Sequence, residues 1–165
     1  MPGALNLTKP ADLLAKLEHE VGALTVDRGD SYAAINALRD AYHLREWIWH
    51  DRLEHDASLQ VVIMGASGGK DAWNTWINQN FSDFRLIRAL CNGSKHFQDG
   101  RSMRTTTHHG GFDGPVAFFD NLHSGFDDNG FHVQIDGGRV VAMIDLLPRA
   151  RDFWRQLFSQ FPQIA

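Results

Sequence analysis

The sequence predicts an α+β fold: a helical bundle, then a small antiparallel β-meander, then a closing C-terminal helix. Three observations predict it. Apolar residues recur at helical spacing through most of residues 1–97. After Phe97 glycine becomes frequent, and short runs rich in β-formers replace the helical pattern. From Pro148 onward Phe153, Trp154, Leu157 and Phe158 again share one helical face. The 165 residues fit a single domain over 1–165, mainly helical over 1–97, mainly β over 98–146, and closed by a helix over 147–163.

The first helix is expected to be capped by Thr8, with Pro10 in its first turn and Leu13, Leu14, Leu17, Val21 and Leu24 inward. The stretch Asp27 to Asp30 reads as a turn. Asp30 or Ser31 caps a long helix, SYAAINALRDAYHLREWIWHDRLEHD. Its apolar face holds Ala34, Ala37, Leu38, Ala41, Leu44, Ile48 and the Trp47/Trp49 pair. VVIM, before the GASGG loop, fits either a short strand or a helix end. Asp71 then caps a short helix with Trp73, Trp76 and Ile77. Ser82 caps another with Phe84, Ile87, Leu90 and Cys91 inward.

Four runs beyond Phe97 suit strands: RSMRTTTHH, PVAFF, GFHVQI and RVVAMI. Asp136-Gly137-Gly138 between the last two is a hairpin signal. The stretch from His123 to Gly130 reads as an exposed loop. Pro148 is expected in the first turn of the closing helix.

Composition narrows the function classes. A net charge of −4 and a pI near 6.1 argue against strong non-specific nucleic-acid binding, which needs a basic footprint, although a local basic groove remains compatible. Cys91 is the one cysteine, so no intrachain disulfide forms and a reducing cytoplasm is the expected setting. MPGALNLTKP lacks the pattern of a signal peptide, and no apolar run reaches membrane-spanning length. No cofactor is implied.

Several motifs suggest chemistry. GASGG matches G-x-S-x-G, with Ser67 as the nucleophile, but that motif tops a parallel sheet and the residues before it read as helices. A glycine-rich linker yields the same letters. Gly65, Gly69 and Lys70 miss the spacing of a phosphate-binding loop, and Asp71 stands where that loop needs a hydroxyl. Asp40, His43, Glu46 or Trp47, and His50 step by three and four along the long helix, a spacing that could offer metal ligands on one face. The plainer alternative is a polar helix face that is solvated or hydrogen-bonded to a neighbouring helix. His108, His109 and His123 are further ligand candidates, in two short H-x-G-F-D echoes that otherwise read as glycine turns.

CNGSKHF holds the other candidate site. In a continuous helix Arg88, Asn92 and His96 fall at i, i+4 and i+8 along one stripe. A guanidinium, an amide and an imidazole are the parts of metal-independent RNA cleavage: the imidazole moves a proton and the guanidinium steadies the phosphorane charge. Alternatively, Gly93 is a left-handed residue that ends the helix at Asn92. If the two longer helices pack antiparallel, His43, Glu46, Asn92, Lys95 and His96 form one polar cluster, either binding or structural.

YHLREWIWHDRL and DFRLIRALCNGSKHF together resemble a family of uncharacterised bacterial proteins. These combine an H-L-x-E-W-x-W helix, an A-N-x-x-K-H-F helix, a β-hairpin region and a closing F-W-R helix. The matching positions are His43, Glu46, Trp47, Asn92, Lys95, His96 and Phe97, with Cys91 in place of Ala. The helical part is similar to the HEPN class of small helical bundles, many of which are endoribonucleases of toxin–antitoxin and phage-defence systems. That resemblance implies catalytic roles for Arg88 and His96, RNA as partner and a homodimer; the helix stripe adds Asn92 to the catalytic candidates, and the two matched helices suggest a binding role for His43, Glu46, Trp47 and Lys95, with a protein as the alternative partner. Here Ala89 follows Arg88, and His96 lies further along than the four-to-six-residue gap of the class motif.

Overall fold

A computed structural model describes residues 7–95, 106–108, 131–134 and 140–165. They are mostly helical, with a small antiparallel sheet, in the order α1 (Pro10–Val26), α2 (Ser31–Ile48), a π-helical turn (Trp49–Leu53), α3 (Ala57–Met64), α4 (Lys70–Asn80), α5 (Phe84–Lys95), β1 (Thr106–His108), β2 (His132–Gln134), β3 (Val140–Ala142), α6 (Met143–Gln160) and a short 3-10 turn (Pro162–Ile164).

Local chemistry sets the helix ends. Pro10 opens α1, where its missing N–H costs nothing. The cap differs from expectation: Asp12, not Thr8, supplies it, its carboxylate accepting from the backbone N–H groups of Thr8 at 2.8 Å and Lys9 at 3.1 Å. Between α1 and α2 the Asp27 carboxylate accepts from Gly29 N–H. Asp30 caps α2 by accepting from Ala33 N–H, and Asp56 caps α3 by accepting from Leu59 N–H. VVIM is therefore helical, and α3 ends at Gly65 in the left-handed region, φ 80°. Helix α4 begins at Lys70, so Asp71 lies within its first turn rather than capping it, where it still complements the helix dipole. Helix α5 begins at Phe84, later than a Ser82 cap requires.

The core forms on α2. Leu17, Val21 and Leu24 of α1 are fully buried, with Ala37, Ala41, Leu44 and Ile48 of α2, Trp73 and Ile77 of α4, Phe84 and Ile87 of α5, and Leu146, Leu147 and Trp154 of α6. Small alanines on α2 let α1 approach closely. Two buried indoles tie neighbours to the α2 backbone: Trp73 donates to the Arg45 carbonyl at 2.9 Å and Trp154 to the Ala41 carbonyl at 3.0 Å. Phe84 meets Trp154 edge-on and stacks on Tyr42.

The strand order is β1-β2-β3, antiparallel throughout, with Gln134 opposite Val140 and His132 opposite Ala142. PVAFF, the His123–Gly130 loop and Asp136-Gly137-Gly138 lie outside the described residues. The last strand is shorter than RVVAMI: Met143 already starts α6, and its N–H donates to the Phe131 carbonyl. Pro148 consequently sits inside α6, beyond its first turn. Burial of Met143, Leu146 and Leu147 on the helical core outweighs the β-propensity of that run and the bond that Pro148 cannot donate.

Candidate functional site

The stripe His43, Glu46, Trp47, His50, Asp51 follows helical spacing along the outer face of α2 and the π turn. Together with Thr8 these side chains line a groove of about 400 Å³. The side chains of His43, Glu46 and His50 are 45%, 36% and 55% exposed, so this face is wet. Trp47 is half-buried and packs against the core from the groove wall.

Glu46 gathers charge from three sides. Its Oε1 accepts from Arg45 Nη2 at 3.0 Å and lies 3.4 Å from Lys70 Nζ, while its Oε2 lies 3.7 Å from His43 Nδ1. Partial burial works against ionisation, but Arg45, Lys70 and His43 outweigh it and hold the Glu46 carboxyl below its ordinary range. Arg45 is buried beneath this point, its guanidinium 4.6 Å from the centre of the Tyr42 ring. His50 lies between Lys70 and Glu54, with Nε2 3.2 Å from Lys70 Nζ and Nδ1 2.8 Å from Glu54 Oε2. Accepting from His50 is the largest influence lowering the Glu54 carboxyl. Asp51 pairs with Arg52 at 3.0 Å.

A π-helical turn follows Ile48, with Glu54 N–H donating to the Trp49 carbonyl five residues back. It buries Trp49 and Leu53 while His50 and Glu54 stay outside. Below it, buried Gln60 clamps the chain. Its amide donates to the Leu53 carbonyl at 2.7 Å, and its oxygen accepts from Gly68 N–H at 2.9 Å. A Cβ at Gly68 would come 2.6 Å from that of Ala72, so this close approach needs glycine. The clamp brings Lys70 to the groove rim, beside His50 and Glu46.

Some expected site residues have a definite place, and others lie outside the described residues. His43, Glu46 and Trp47 meet in the groove. Asp40, expected on their face, is turned into the α1–α2 interface, where Lys16 Nζ stands 2.7 Å from its Oδ2. Arg88 is exposed on α5 and Asn92 is half-buried. Helix α5 runs unbroken through Gly93 to Lys95, so the reading in which Gly93 ends the helix at Asn92 is corrected. His96 lies outside the described residues, as do His109 and His123. Ser67 is exposed in a helix–loop–helix connection, which lacks the strand of a nucleophile elbow. Among the described residues no group of three or more His, Cys, Asp or Glu side chains could hold a metal ion, and no helix is long and apolar enough to cross a membrane.

Sequence reading missed Thr8, Arg45, Asp51, Glu54 and Lys70. Asp51 was within reach, being four residues beyond Trp47 on the same stripe. Lys70 was not, because only the tertiary fold brings it to His50. The class this architecture defines is a small, mostly helical α+β protein with a polar groove on its second helix. Comparison of the chain with protein-family models, curated proteins and solved structures finds no match.

Proposed function

We propose that this chain is a cytoplasmic bacterial binding protein whose ligand sits in the groove on α2, against His43, Glu46, Trp47 and His50. One observation carries the reading. An ionised carboxylate, two imidazoles and an indole face open water at one concavity. A purely structural polar network is better served by burial, where hydrogen bonds specify packing. The test is a fragment mixture titrated into uniformly ¹⁵N-labelled protein. Saturable shifts at His43, Trp47 and His50, lost in Trp47→Ala, support ligand binding. If no fragment moves these signals and His43→Ala merely lowers the melting temperature, the groove is structural.

A second reading, a HEPN-like metal-independent endoribonuclease, draws on α5. Arg88 and Asn92 stand one turn apart on α5, which stays helical through Gly93 to Lys95. Labelled RNA cut in EDTA by wild type but not by His96→Ala supports it. Equal cutting by both proteins, or none, sinks it.

A further inference from the structure

We propose that the groove takes an organic cation, an ammonium or guanidinium group, held against Trp47 by Glu46 and Asp51. The inference rests on the binding reading above and names its ligand class. The argument is an inventory of donors and acceptors. The carboxylates of Glu46 and Asp51 present only acceptors to the groove. The Thr8 hydroxyl donates its proton to Asp12 at 3.0 Å, so lone pairs remain for a ligand. His50 is engaged through both ring nitrogens. With Trp47 and His43 as the remaining polar groups of the lining, a ligand that brings donors finds the most partners here.

The neighbouring cations do not fill that role. Arg45, Arg52 and Lys70 hold Glu46 and Asp51 but do not line the groove. They keep the carboxylates ionised and oriented, and each carboxylate still offers further lone-pair sites. Trp47 adds an indole, the best aromatic partner for a cation. The chain's net charge of −4 favours such a ligand at longer range.

The source could be a free small amine or a basic side chain of a partner. Four probes separate the possibilities: agmatine, an N-acetylated and C-amidated Gly-Arg-Gly peptide, inorganic phosphate and neutral glucose, each titrated against the Trp47 indole N–H signal assigned with Trp47→Phe. Saturable movement with agmatine or the peptide is expected, weakened at least tenfold in Glu46→Gln and in Asp51→Asn, both near-isosteric. The tighter of the two cations identifies the source. Movement with phosphate or glucose, with both cations silent, overturns the ligand class and leaves the binding reading standing. Silence of all four together with the fragment mixture overturns both.

Discussion

The ammonium of Lys70 stands 3.2 Å from Nε2 of His50, and this contact fixes the imidazole's tautomer. An ammonium only donates, so Nε2 must accept, and the ring proton belongs on Nδ1, where Glu54 Oε2 receives it at 2.8 Å. The chain Glu54–His50–Lys70–Glu46 thereby links the π turn, α4 and α2 along the groove rim.

Long-range ¹H–¹⁵N correlation spectra will show the neutral His50 ring as its Nδ1–H tautomer. In Lys70→Gln, whose amide either donates or accepts, the tautomers will mix. An Nε2–H tautomer in wild type refutes the assignment.

Acid should loosen the groove through Glu46. Its carboxyl lies below the ordinary value of 4.5 in the folded protein, so its stabilisation is complete above that value. The stabilisation disappears as pH falls through the lower folded value. Melting temperatures measured between about pH 5 and 3 will fall less steeply in Glu46→Gln than in wild type. Parallel curves for the two proteins contradict the prediction.

The Lys16–Asp40 pair governs the alkaline side. Burial opposes the Lys16 charge, but bonds to Asp40 and Glu20 outweigh it and raise the ammonium above 10.5. For Asp40, which is only 8% exposed, burial prevails over Lys16 and raises the carboxyl. Asp40 is the more deeply buried partner and loses more hydration than Lys16. The Lys16 contribution is complete below 10.5 and fades as pH rises through its folded value. Asp40→Ala should cost about 1–2 kcal/mol at neutral pH in urea unfolding, discounted from a fully buried pair because Lys16 is partly exposed. The same variant should flatten the alkaline limb.

Gln60→Leu should cost about 2 kcal/mol, because it removes the partner of Gly68 N–H and leaves the Leu53 carbonyl with Asp56 N–H alone, at 3.2 Å. Gly65→Ala meets open space, so its cost of about 1 kcal/mol is conformational alone. Denaturant midpoints at unchanged slope will rank the two, and the reverse order would refute the clamp.

Much of the architecture was legible in the residues. The inward positions expected on α1, α2 and α5 are buried, apart from half-buried Trp47, since helical periodicity reports burial directly. The reading failed where local preference and core packing compete. RVVAMI has strand propensity along its whole length, yet the helical core captures it from Met143. Capping errors were small shifts, as at Asp12 and Asp71, because several polar side chains near a helix start can satisfy the same N–H groups.

The candidate site divides along the same line. By itself the sequence determined the stripe His43, Glu46, Trp47, because spacing along one helix is a one-dimensional property. It narrowed the α2 cap to Asp30 or Ser31. Only the tertiary structure decided that Asp40 turns inward to Lys16, that Lys70 crosses from α4 to join His50 and Glu46, and that Thr8 closes the groove. Those contacts join residues far apart in sequence. They depend on how helices cross and on which charges can stay hydrated, and no local spacing encodes either.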